Sequence, residues 1–92
     1  MVNVTVRFFG GMRNIAGTST VNISLDSRVV VSALLDELYR RYPALQKRLK
    51  TGLDKGYINL VVNGRNARLL NGIETVLSDG DRVAFLPSIG GG

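Results

Sequence analysis

A chain of 92 residues, 45% of them apolar, can bury one core but has no room for a second. It contains no Cys and no His, which excludes a thiol nucleophile, a redox pair, a zinc knuckle and an imidazole base. The net charge of +5 leaves open an acidic protein surface, nucleic acid, or a merely solvated basic face.

The first elements follow from periodicity. Val2, Val4, Val6 and Phe8 alternate with Asn3, Thr5 and Arg7, the pattern of a half-buried strand. Gly10, Gly11 and Gly17 predict a loop after it. Val21, Ile23 and Leu25 alternate again and predict a second strand, paired back on the first as a hairpin. Asp26-Ser27 then offers an N-cap, and Val31, Leu34, Leu35, Leu38 and Tyr42 line one face of a helix. Asp36 with Arg40, and Glu37 with Arg41, are acid-before-base pairs on its other face. Pro43 ends it, because the residue before proline avoids the helical region.

Beyond the proline, Leu45 to Lys50 allow one more turn before Gly52 and Gly56 break the chain. Ile58, Leu60 and Val62 form a third strand ended by the turn Asn63-Gly64, and Asn66 to Leu70 a short edge strand. Leu77-Ser78-Asp79-Gly80-Asp81 is a tight turn whose acids are better explained as turn formers than as catalysts. Val83-Ala84-Phe85-Leu86 is the last strand, closed by Pro87. The order is that of an α+β domain over residues 1–87, with one main helix across one face of a mixed sheet. Its expected core is Val4, Val6, Phe8, Val21, Ile23, Leu25, Leu34, Leu38, Leu60, Val62, Val83 and Phe85.

Residues 88–92 form a flexible tail ending in Gly90-Gly91-Gly92. Glycine runs at a terminus are most often slack, but this one follows a strand and Pro87 with only Ser88 and Ile89 between. Without Cβ atoms such a chain can thread a narrow channel. Extended, it reaches roughly 20 Å from Pro87 at about 3.3–3.6 Å per residue. The Gly92 carboxylate is the candidate reactive group, with Gly90 and Gly91 giving access to it. A carboxylate is a poor electrophile, so adenylation by ATP on a partner would make it an acyl donor, and persulfide sulfur would turn it into a thiocarboxylate. No side chain of this protein is catalytic in those steps, and no cofactor is expected to be bound.

The run from Asp79 through Gly80, Asp81, Val83, Ala84, Phe85 and Pro87 to Gly91-Gly92 resembles the end of MoaD-type molybdopterin synthase small subunits, within the MoaD/ThiS sulfur-carrier family. Val62-Asn63-Gly64-Arg65-Asn66 with Leu69-Leu70-Asn71-Gly72 resembles archaeal members, and the opening from Val4 to Gly10, with Met12-Arg13 and Ala16-Gly17, fits as well. Ser88 stands where a second proline is commoner, and Gly90 where Ala or Thr is. The resemblance implies a β-grasp (ubiquitin-like) fold. It also implies as partners a ThiF/MoeB-like adenylating enzyme that uses the ATP, a sulfur donor protein, and a MoaE-like large subunit that holds a pterin precursor.

Alternation turns Ala84, Leu86 and Val61 away from the core and leaves Phe9 free beside the loop. With Pro87 and Ile89 these residues are a candidate docking surface, Leu86 foremost because it adjoins the tail. The same tail suits a ubiquitin-like protein modifier, a carrier for tRNA thiolation or, more remotely, a thiazole-synthesis carrier. A more distant alternative is a nucleic-acid module built on the basic cluster from Arg40 to Lys55 (Arg40, Arg41, Lys47, Arg48, Lys50 and Lys55). The strands offer no pair of exposed aromatics for stacking bases, which argues against it. A cytoplasmic protein is expected: the start, MVNVTVRFFGG, lacks a signal peptide's pattern and no stretch is long and apolar enough for a membrane.

Overall fold

The computed structural model describes residues 1–26 and 29–88. Strands β1 (Val2–Phe8) and β2 (Thr20–Leu25) pair antiparallel as expected, with Val4 opposite Ile23. Between them the glycine-flanked stretch is a short helix rather than a loop: α1 (Gly11–Ala16) turns Met12 into the core. Gly10 and Gly17, at its two ends, frame the helix instead of preventing it.

The chain next forms a two-residue strand, β3 (Val29–Val30), before helix α2 (Val31–Arg41). Ser27 lies outside the described residues. Val30 is the residue at the helix start, and no side chain caps it. The Val31 N–H instead donates to the Thr75 carbonyl at 3.0 Å, so a distant segment does the capping. Val31, Leu34, Leu35 and Leu38 are buried as the helical period requires. Glu37 accepts from both Arg40 and Arg41, at 2.5 and 2.8 Å; the expected Asp36–Arg40 pair is not formed. Tyr42 ends α2, and Pro43 opens α3 (Pro43–Lys55), a helix longer than the single turn expected. Proline is suited to a first helical position, where its missing N–H has no partner to lose.

Gly52 does not break α3. A Cβ there would stand 2.3 Å from Ile58 Cδ1, so the glycine lets the helix press directly on β4 (Ile58–Val62). The Asn63-Gly64 turn joins β4 to β5 (Arg65–Asn66). Both turn residues have positive φ, 50° and 82°, as a two-residue hairpin loop matched to strand twist demands. The expected edge strand stops at Asn66, whose side chain accepts from the Arg68 N–H and starts a 3-10 turn over Ala67–Leu69. A second 3-10 turn, Gly72–Glu74, leads to β6 (Val76–Leu77), which pairs with β3. The last strand is β7 (Arg82–Pro87).

The five-stranded sheet runs β2-β1-β7-β4-β5, with β7 parallel to β1 and antiparallel to β4. Both chain ends thus contribute central strands, and α2 and α3 cover one face. Phe8 and Phe85 stack with centroids 6.1 Å apart, and Tyr42 meets Phe8 edge-on. Burying either phenylalanine contributes about 1.5–3 kcal/mol. Of the expected core, Val21 and Leu25 are only half-buried on β2, which is an edge strand. Leu45, Leu49, Ile58, Ala67 and Leu77 join the core instead.

Candidate functional site

The turn before β7 is held by side chains that also fix where the strand points. Asp79 Oδ1 accepts from the Asn3 N–H at 2.8 Å, and the Gly80 N–H donates to the Asn3 carbonyl at 2.8 Å. The Asp81 carboxylate accepts from the Ser78 N–H and the Asn63 side-chain amide. The Asn63 side-chain oxygen in turn accepts from the Arg82 N–H at 2.9 Å. Gly80 sits at φ 87°, a conformation that side chains rarely adopt. Both acids are therefore turn formers, tying the start of β7 to β1 and to the β4–β5 turn.

At its other end β7 outruns β1. The last β1 partner is Phe8 opposite Phe85, whereas pairing with β4 continues to Ile58 opposite Pro87. Pro87 has no N–H to donate and lies where the β1 side of the strand is uncovered. The Ser88 N–H still donates to the Tyr57 carbonyl at 2.8 Å. Ile89, Gly90, Gly91 and Gly92 lie outside the described residues. The tail therefore starts from the centre of the sheet, from a strand fixed at both ends.

On the face of the sheet opposite the helices, Val61 pairs with Ala84, and Leu86 with Asn59. Val61, Ala84, Leu86 and Phe9 are each half-buried; Val61 and Ala84 pair midway along β7, and Leu86 precedes Pro87 at its tail end. Arg7, the β1 neighbour of Ala84, sets its guanidinium 5.4 Å from the Phe9 ring centre. This is cation–π geometry, and it puts a charge at the rim of the apolar patch. Three expected docking residues thus share one face with a charged neighbour, and Pro87 ends the same strand.

The basic cluster is divided among different surroundings. Arg40 and Arg41 are engaged by Glu37, whose carboxyl their hydrogen bonds, Arg40's first, hold down to about 2. Lys47 and Arg48 line an open cleft beside Pro87, whereas Lys50 and Lys55 are not among the residues that line it. The cleft went unseen in the sequence, since it is made from the end of β1, α1, α3 and the residues around Pro87. Among the described residues no helix is long and apolar enough to cross a membrane.

A mixed sheet with the first and last strands at its centre and helices across one face is the β-grasp fold, of ubiquitin-like type. The chain belongs to the ThiS family, whose profile matches residues 6–92, and so to the MoaD/ThiS-type ubiquitin-like sulfur carriers. It is 33% identical to small archaeal modifier protein 3 of Haloferax volcanii, over 99% of this chain and 100% of that one. It is 30% identical to the molybdopterin synthase sulfur carrier subunit of Mycobacterium tuberculosis, with all of both chains covered. The solution structure of small archaeal modifier protein 1 from Methanosarcina acetivorans superposes with a TM-score of 0.81. Its identity is 36%, covering 100% of this chain and 98% of that one.

Proposed function

We propose that this protein carries sulfur on its C-terminal glycine, Gly92, for molybdopterin synthesis in the cytoplasm. The observation that supports the reading is that the family match runs from residue 6 to residue 92 and so takes in the glycine run. On a ThiF/MoeB-like enzyme, a Gly92 carboxylate oxygen bonds to the α-phosphorus of ATP and pyrophosphate leaves. The terminal sulfur of a donor protein's persulfide then attacks the carbonyl carbon and expels AMP. A thiol reductant cleaves the remaining S–S bond, leaving a thiocarboxylate for a MoaE-like subunit to use. This chain contributes the acyl group, the docking face and the glycines that admit the tail.

Intact mass after incubation with the adenylating enzyme, ATP and a persulfide donor tests the reading. Wild type is expected to exchange one oxygen for sulfur. Deleting Gly92, or adding one residue after it, is expected to abolish the exchange while stability stays within about 0.5 kcal/mol. A Gly92-deleted chain that still gained sulfur would sink the proposal.

The likeness to a small archaeal modifier protein favours a second reading, in which the same activated glycine is joined to protein lysines or supplies sulfur to tRNA. An isopeptide between Gly92 and a lysine, found by peptide mass spectrometry of cell extracts, distinguishes modification. Capture of a MoaE-like subunit distinguishes pterin synthesis.

A further inference from the structure

The cleft beside Pro87 has a volume of about 480 Å³. Its walls are apolar: Phe9, Met12, Ile15, Tyr57, Ile58 and Pro87. Lys47 and Arg48, on the exposed side of α3, supply its charge, and among the described residues no Asp or Glu lines it. Both ion pairs among the described residues are made by Glu37 with Arg40 and Arg41, so these two cations have no carboxylate partner among the described residues. The Arg48 guanidinium is also placed by the fold: a Cβ at Gly11 would stand 2.6 Å from its Nη2. Glycine at the first position of α1 thus lets the arginine lie against the helix start, where it borders the cleft.

We infer that this cleft seats an acidic segment of the adenylating enzyme, anchored by an aromatic or aliphatic side chain against the apolar walls. The inference rests on the carrier reading, because it is the tail that brings the enzyme to this end of the molecule. Charge complementarity sets the chemistry of the occupant. Two cations beside an apolar hollow, with no carboxylate partner among the described residues, are matched by a hydrophobic anchor next to Asp or Glu. Position identifies the partner. Pro87 is both a wall of the cleft and the last residue of β7, and the extended tail reaches only roughly 20 Å from it. An enzyme that holds Gly92 therefore covers the tail root. Activation is also the step that every reading of this family member shares, whatever accepts the sulfur afterwards. Leu86, on the outer face, immediately precedes Pro87, a wall of the cleft, so the enzyme would grip the tail root from two sides.

The test measures binding of the full chain to the adenylating enzyme of the same organism without ATP, alongside sulfur gain by intact mass at saturating enzyme. Lys47→Glu/Arg48→Glu is compared with Lys50→Glu/Lys55→Glu, which makes the same charge change on the same helix outside the cleft. The cleft pair is expected to weaken binding about tenfold or more, the control pair by about twofold or less. Tyr57→Ala, at a residue that is 55% exposed, is expected to weaken binding with little salt dependence. Equal losses from the two charge pairs would overturn the inference, as would an unchanged Kd in the cleft pair; sulfur gain by wild type would leave the carrier reading standing in either case. Binding that depends on the cleft in a chain that never gains sulfur supports the cleft and overturns the carrier reading instead.

Discussion

A methyl group on Gly52 would overlap Ile58 at Cδ1 and Cγ1, 2.3 and 2.6 Å away, and would lie 3.2 Å from its Cβ. Rotating the tip of the isoleucine cannot clear all three contacts, so α3 or β4 has to move. In an open helix, Gly→Ala would stabilise by up to about 1 kcal/mol through propensity. Here overpacking, typically about 1–3 kcal/mol, opposes it and is expected to win. Gly52→Ala should lower stability to chemical denaturation by about 1–2 kcal/mol. A variant at least as stable as wild type would mean that the helix–strand approach has slack. Gly11 differs, because a Cβ there meets only the tip of the flexible Arg48 side chain. Its replacement by Ala is a change of placement more than of packing.

At the scale of elements, the last turn of α2 collects two arginines onto one carboxylate. Positive charge suits a helix C-terminus, and Glu37 ties both residues to the preceding turn. Hydrogen bonds from Arg40 first and then Arg41 hold the Glu37 carboxyl at about 2, below its ordinary 4.5. A carboxyl depressed in the folded state contributes stability that is fully present above its unfolded value. That contribution fades as pH falls from about 4.5 towards about 2. Thermal unfolding of wild type and Glu37→Gln from pH 2 to 7 should therefore show a gap that is constant at neutral pH and closes on acidification. The gap should be small and should shrink in salt, since Arg40 is largely exposed. A gap that widened towards pH 2 would contradict this assignment.

The long alternating strands and the periodic face of α2 could be read from the chain because each element contains several repeats of its own period. The two-residue strands β3 and β6 contain none, and only their pairing with each other defines them. Helix α1 was hidden by its flanking glycines, although Met12, Ile15 and Ala16 keep helical spacing. The full length of α3 is hidden in the sequence because Gly52 has the character of a helix breaker, and only its packing against Ile58 explains it. The outer patch could be inferred, since alternation within two strands places Val61, Ala84 and Leu86. The cleft could not, because its walls come from four separated segments and no single one of them carries a signal.

For the whole molecule, the central position of β7 separates the proposed docking face from the proposed reactive tail. The strand is paired on both sides and pinned at its first turn, so the body can present the tail from a rigid base. A net charge of +5 adds long-range attraction to an acidic partner, which speeds encounter and weakens as salt rises. Leu86→Lys separates the roles most cleanly. Leu86 is half-buried opposite Asn59 on the outer face, and a lysine there can lay its stem along Val61 and Ala84 with its ammonium in water. Thermal stability should change little, because no packed volume is lost, while a charge enters the middle of the docking patch. Binding to the adenylating enzyme should weaken by about tenfold or more, since a charge buried in an apolar contact lacks a partner. Sulfur gain at saturating enzyme should survive, because the terminal glycine is untouched. Deletion of Gly92 should give the reverse pattern, with binding kept and sulfur gain lost. If Leu86→Lys unfolded the domain, Leu86 would belong to the core, and the outer patch would reduce to Val61, Ala84 and Phe9.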